Sequence, residues 1–341
     1  MPENEIPGVD LDALVRWMDS AELGSGPLED LNLLGGGSQN VLLRFRRDGR
    51  EYVLRRGPEH KRANTDETMR REARILAALS GTDVPHPSLI AACPDETVIG
   101  GAFYLMEPVE GFAPAFAWPH TPHSDDDGLQ YEMGLEMARA IGELGRLDHT
   151  TIGLADFGKP EGWLERQVGR WTSHLQGYSQ VPGYPADSLP HVPEIAEWLD
   201  AHRPSRWTPG IIHGDFHFAN VLFDQHTPKL VAMVDWELAT IGDPLLDLGH
   251  LLATWPLHFP TLAGFDPTGL PPRDAVIGEY EKTRGTSVED PTWYEVLAAF
   301  RLAIIIEGTY ARYLAGQTTE ANGRRLHRSA VGLLTRAATL I

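Results

Sequence analysis

The chain has 341 residues, 42% hydrophobic and 23% charged, ordinary proportions for a folded water-soluble protein of one large domain or two lobes. Its 29 basic residues against 48 acidic ones leave a net charge of −19, which argues against nucleic acid as a partner because phosphate binding wants clustered Lys and Arg. No run of 18 apolar residues occurs, so no membrane span is expected, and the single cysteine, Cys93, excludes an intrachain disulfide and a cysteine-based metal cage.

The first ten residues, MPENEIPGVD, lack the basic and apolar regions of a secretory signal, so a cytoplasmic, reduced setting is the expectation. Twelve basic and 18 acidic residues precede Glu110, and 17 and 30 follow from there. The acidic excess therefore concentrates in the later part. It suits solubility, and it would also draw a cationic substrate.

LNLL (31–34), NVLLRF (40–45) and EYVLRR (51–56) read as strands, the last two joined by a hairpin at Asp48-Gly49. NTDETMRREARILAAL predicts a helix from about Thr65 to Leu79, with Asn64 as N-cap and Glu67 completing a capping box. FYLMEPVEG (103–111) is an apolar strand running into a linker at Pro108 and Gly111. PAFAWPHTPHSDDDG (114–128) is a polar loop broken by proline, and helical patterns follow at 129–147, 160–178, 193–202 and 293–315. One β-like unit, VLF–loop–KLVAMVDW (221–236), is set among them. The pattern predicts an α+β, bilobal chain: a strand-rich lobe over 1–107, a hinge at 108–112 and a helical lobe over 113–341.

Three stretches carry chemistry. In LGGGSQN (34–40), Gly35, Gly36, Gly37 and Ser38 would let main-chain N–H groups approach a phosphate, with a plain glycine-rich hairpin as the competing reading. On the helix after it, Met69, Ala73, Leu76 and Leu79 share one face, and Glu72 is the only charge there. A buried carboxylate needs a cation. Arg55, on the same strand face as Val53, is the one expected, whether to orient nucleotide phosphates or as a purely structural bridge.

The strongest stretch is IIHGDFHFANVLFD (211–224) followed by LVAMVDWE (230–237). Phosphoryl transfer needs a carboxylate to orient the acceptor hydroxyl and oxygen ligands for magnesium. Asp215 suits the first task, Asn220 and Asp235 the second. A rival reading makes His213-x-Asp215-x-His217 a transition-metal site, although no further His-rich motif completes the shell with obvious spacing. In GDPLLDLGHLL, Asp243 caps a helix with Pro244 at its first position, and Asp247 favours the positive end of the helix dipole.

With these residues in hand, the chain resembles the aminoglycoside phosphotransferase family, from about Leu31 to about Leu314. HGDFHFANVLF and VDWELATIGDPLLDLGHLL match its two diagnostic motifs. YVLRR, REARILAAL and GLADFGKPEGWLERQV are similar to a subgroup that includes kinase-like domains fused to acyl-CoA dehydrogenases. The resemblance implies a protein-kinase-like fold and ATP-dependent phosphorylation of a small-molecule hydroxyl. It implies Asp215 as base, Asn220 and Asp235 on Mg2+, Arg55 on the phosphates, and adenine against the main chain around Glu107–Val109. His217 stands where protein kinases carry a lysine near the transferred phosphate, and either assists there or is structural. Gly145 replaces the histidine common at the family's LHxxD helix end.

LADFG (154–158) looks like the magnesium-binding triplet of protein kinases, but no apolar strand leads into it and Asp235 already fills that role in the expected order. It is expected to be a loop before a helix. The competing functional reading of the whole chain is a kinase-like module that binds nucleotide or metabolite without turnover. Neither the acceptor nor the oligomeric state is encoded in a readable way.

Overall fold

The computed structural model describes residues 6, 8–34, 40–59, 61, 63–117, 122–255 and 267–341. It divides into two compact units, Met1–Glu110 with Val231–Glu237, and Gly111–Leu230 with Leu238–Ile341.

The first unit opens with α1 (Leu11–Ser20), capped by Asp10, whose carboxylate accepts the Ala13 N–H at 2.9 Å. Next come β1 (Glu29–Leu33), β2 (Val41–Arg47), β3 (Arg50–Arg56), α2 (Thr65–Leu79), β4 (Leu89–Cys93) and β5 (Phe103–Met106). The strands form one sheet in the order β1-β2-β3-β5-β4, every pair antiparallel. Asp48 and Gly49 turn the β2–β3 hairpin with φ of +51° and +74°, the left-handed pair of a type I′ turn. Leu43, Phe45, Tyr52, Leu54, Phe103 and Leu105 build a core with Leu14 and Met18 of α1. Because side chains alternate along a strand, Val53 and Arg55 face the other way from Tyr52 and Leu54.

Helix α2 buries Met69, Glu72, Ala73, Leu76 and Leu79. Its N-terminus departs from the capping box: Asn64 sits at φ −107°, ψ 6°, and its side chain makes no cap bond. A capping side chain needs an extended backbone to reach over the first turn. Here only the Asn64 carbonyl serves, accepting the Thr68 N–H at 2.9 Å and the Thr68 hydroxyl at 3.0 Å.

The second unit holds α3 (Pro114–Ala117), α4 (Asp127–Arg146), α5 (Trp163–Gly177), α6 (Val192–Ala201), β6 (Gly210–Ile212) and β7 (Val221–Phe223). After β8 (Leu230–Met233), most of which belongs to the first unit, follow β9 (Thr240–Gly242), α7 (Leu245–Ala253), α8 (Arg273–Arg284), α9 (Thr292–Leu314) and α10 (Glu320–Ala338). Strand β6 pairs antiparallel with β9. Helix α9 is buried along most of its length and packs against α7 and α10. LADFG lies in turns ahead of α5, with Phe157 buried and Asp156 exposed. Among the described residues no helix is long and apolar enough to cross a membrane.

Candidate active site

In the first unit, β3 and α2 bring Arg55 and Glu72 together. Arg55 Nε lies 2.7 Å from Glu72 Oε2, and Nη2 donates to Glu72 Oε1 at 3.2 Å. The same Nη2 reaches Asp235 Oδ1 at 2.6 Å. Tyr104, opposite Arg55 on β5, donates its hydroxyl to Glu72 Oε2 at 2.8 Å. Burial pushes the Glu72 carboxyl up, and the Arg55 charge only partly offsets this. Burial would lower Arg55, but the charges around it, Glu72 foremost, leave it raised. One cation thus ties a strand, a helix and the segment after β8.

That segment is anchored by main chain. The Met233 N–H donates to the Pro85 carbonyl at 2.9 Å, and the Trp236 indole donates to the Met233 carbonyl at 3.0 Å. Asp235 itself has φ +66°, a left-handed conformation that non-glycine residues rarely adopt. Ligand atoms of Glu72, Asp235 and Glu237 lie within 4.8 Å of one another, an all-oxygen set suited to a hard cation.

In the second unit, β6 delivers His213-Gly214-Asp215 into a loop. Gly214 has φ +83°, and a Cβ there would stand 2.6 Å from the Leu238 carbonyl oxygen, so no other residue fits. The loop is held from α7, where the buried Asp247 carboxylate accepts the His213 N–H at 2.7 Å and the Gly214 N–H at 2.8 Å. Asp247 lies in the first turn of α7, as the sequence predicts, and its carboxylate also binds two amides 33 and 34 positions away. Burial raises its carboxyl to about 6, with those two bonds pulling the other way. Asp243 accepts the Leu245 N–H at 3.1 Å and the Tyr294 hydroxyl, and α7 starts one residue after Pro244.

Asp215 is framed on both sides. Asn220 Nδ2 donates to its carbonyl at 2.9 Å and to Oδ2 at 3.0 Å. His217 Nε2 stands 3.7 Å from Oδ2, and His217 Nδ1 accepts the Ala219 N–H at 3.1 Å. On the other side His250 Nε2 stands 3.4 Å from Oδ1. Burial acts to raise the Asp215 carboxyl, but His217, His250 and Arg301 together hold it well below the usual carboxylate range. His250 is 1% exposed, and among the described residues neither ring nitrogen has a hydrogen-bond partner. Its burial lowers it to about 3.

His250 escaped the sequence reading, and it answers the objection that nothing completes a shell around Asp215 and His217. Ligand atoms of Asp215, His217 and His250 lie within 4.8 Å of one another. His213 is not in that group; its Nδ1 accepts the Asp215 N–H at 3.3 Å. The glycine-loop residues Gly35, Gly36, Gly37 and Ser38 lie outside the described residues. Glu107 donates its N–H to the Ser88 carbonyl at 2.9 Å and pairs its carboxylate with Arg50 at 3.1 Å, while Val109 is half-buried.

The sequence profile described as the phosphotransferase enzyme family matches residues 30–283. The chain belongs to that family. Acyl-CoA dehydrogenase family member 10 of Mus musculus is 29% identical over 335 residues, which cover 95% of this chain and 30% of the mouse protein. The chain thus spans about a third of the length of the curated relatives it matches. Among solved structures, a candidate aminoglycoside phosphotransferase from Ralstonia eutropha is 30% identical with a TM-score of 0.77, covering 97% of this chain and 99% of that one. A thermostable mutant of the aminoglycoside phosphotransferase APH(4)-Ia, in ternary complex with AMP-PNP and hygromycin B, shares the fold at 15% identity, with a TM-score of 0.62 over 96% of this chain and 99% of that one. The family fold is the protein-kinase-like one expected from the sequence, an N-terminal antiparallel sheet with a helix followed by a mainly helical remainder.

Proposed function

We propose that the protein is an ATP- and Mg2+-dependent small-molecule kinase that phosphorylates a hydroxyl group. The observation that carries this reading is Arg55, bonded at once to a buried helix glutamate and to Asp235. A purely structural bridge would need one carboxylate. A cation shared between Glu72 and the carboxylate assigned to magnesium is instead arranged to meet nucleotide phosphates.

On this reading Asp215 accepts a hydrogen bond from the acceptor hydroxyl and aims its oxygen at the terminal phosphorus. The new O–P bond forms as the bond to the bridging oxygen of the leaving ADP breaks, and the hydroxyl proton passes to Asp215. A carboxylate held so far below its usual range is a weak base. That suits a reaction in which positioning outweighs proton abstraction. Asn220 spends its amide nitrogen on Asp215, which leaves its oxygen as the donor for a hard cation, and Asp235 supplies a carboxylate. Bound magnesium neutralises charge on the phosphate oxygens. Main chain around Glu107 and Val109 receives the adenine, and His217 supports the transferring phosphoryl group. Relatives named acyl-CoA dehydrogenase family members, together with the neighbour solved with hygromycin B, set the acceptor panel.

The test is ATP consumption by the purified protein across aminoglycosides, amino alcohols, sugars and hydroxyacyl thioesters, with Asp215→Ala beside wild type. Wild type should turn over at least one acceptor. The variant should lose turnover while Mg-ATP still raises its melting temperature. Nucleotide stabilisation without consumption on any acceptor would establish the silent binding module instead, and unchanged turnover in Asp215→Ala would remove the mechanism.

A further inference from the structure

The donor atoms around Asp215 are spaced oddly for a hydrogen-bonded cluster. Nitrogen–oxygen hydrogen bonds close to about 2.7–3.2 Å. The two histidine nitrogens instead stand off Asp215, at 3.4 Å for His250 and 3.7 Å for His217. Two ligands each about 2.0–2.1 Å from a tetrahedral ion lie roughly 3.4 Å apart, so these separations match the edges of a metal polyhedron. The rings of His217 and His250 are stacked, 23° from parallel with centroids 5.8 Å apart, and the Nε2 atoms of both lie within 4 Å of the same carboxylate, at 3.7 Å and 3.4 Å.

The second, independent observation is His250 itself. A buried imidazole whose two nitrogens find no hydrogen-bond partner among the described residues is costly unless something else binds it. Arg301, also buried beside Asp215, leaves Nη1 without a partner among the described residues, and a cation cannot satisfy that group, so the vacant valence answered by a metal is the one on His250.

We infer that Asp215, His217 and His250 form a binding site for zinc, separate from the oxygen donors that suit magnesium. Imidazole nitrogens with one carboxylate favour zinc, whereas magnesium keeps to oxygen. Binding at His217 Nε2 requires the ring proton to sit on Nδ1, which gives up the bond from Ala219 N–H. His250 makes no such sacrifice and is the stronger anchor. Water completes the coordination. Zinc held here engages both sides of the Asp215 carboxylate, so it withdraws that group from an acceptor hydroxyl. This inhibitory half rests on the phosphotransferase reading; the site itself does not.

The probe is the metal alone. Nucleotide-free protein is titrated with Co2+, followed by its visible absorption, and Zn2+ affinity is measured by competition with a chromogenic chelator. One equivalent should bind, and His250→Gln and His250→Asn should each weaken it by roughly tenfold or more, since even an outer-shell partner is worth that much. His226→Gln, an exposed histidine in the turn after β7, should change nothing. Zinc-edge X-ray absorption of the wild-type protein decides the case even where variants fold poorly: two imidazoles in the shell support the site, and an imidazole-free shell overturns it. Equal affinity in wild type and the two folded His250 variants overturns it as well. In the activity arm, micromolar zinc should suppress Mg-ATP turnover more in wild type than in His250→Gln. An absence of all turnover counts against the kinase reading and leaves the spectroscopic result standing.

Discussion

Asp247→Ala tests how the loop after β6 is held. The wild-type carboxylate accepts two buried amide hydrogens, from His213 at 2.7 Å and Gly214 at 2.8 Å. Truncation leaves both donors without a partner, at about 1–3 kcal/mol for each. Water cannot readily replace the lost oxygens, because His213 is fully buried and Asp247 nearly so. The expected loss is therefore about 4 kcal/mol. For a unit of this size 1 kcal/mol moves the melting temperature by roughly 2–4 °C, so the drop should be about 8–16 °C. Differential scanning calorimetry measures it. On the proposed reading, kcat also falls by more than KM for ATP changes, because the two amides immediately precede Asp215. A melting temperature within about 2 °C of wild type would refute the claim that these bonds hold the loop.

Asp247 also sets a pH dependence. Burial raises its carboxyl to about 6, against about 3.9 for an exposed aspartate, so the folded state holds this proton more tightly than the unfolded chain. Its contribution is complete below about pH 4 and is lost as pH rises through about 6, so the melting-temperature gap between wild type and Asp247→Asn should be larger at pH 5 than at pH 7.5. Glu72→Gln keeps the shape but removes the charge facing Arg55, and should lower stability by about 1.5–3 kcal/mol in thermal melts. It should also raise KM for ATP; identical melts and kinetics would count against a working ion pair. Gly249→Ala places a Cβ 2.4 Å from the Tyr294 main chain, where α7 meets α9. Helix propensity favours alanine by about 1 kcal/mol, but overpacking against backbone costs about 1–3 kcal/mol, so calorimetry should show a net loss.

The parts of the fold that announce themselves locally were the readable ones. Asp48-Gly49 needs no partner to declare a hairpin, and Glu72 alone on an apolar helix face demands a cation. β4 was missed because LIAAC is short and only Cys93 on it is fully buried. α8 was missed because its charged sequence buries little beyond Val276 and Tyr280. Motif spacing alone singles out Asp215, Asn220 and Asp235, and the structure places Asn220 on Asp215 and Asp235 on Arg55. Asp247 and His250 were opaque because their partners lie more than 30 positions away. In sequence, GDPLLDLGHLL looks like any capped apolar helix, and only the fold turns its polar residues onto the loop after β6.

The seven residues Val231–Glu237 belong to the first unit although some 120 residues of the second precede them. Ribosomal synthesis therefore finishes the N-terminal sheet and helix long before Arg55 can meet Asp235 or Pro85 can receive the Met233 amide. A chain stopped at residue 110 emerges with that cation lacking one counter-charge and that carbonyl lacking its donor. Dissection at the apparent linker would thus yield a piece that resembles an independent domain in sequence and behaves as an unfinished one, so any excised N-terminal piece should be supplied with this later segment as a tethered or added peptide.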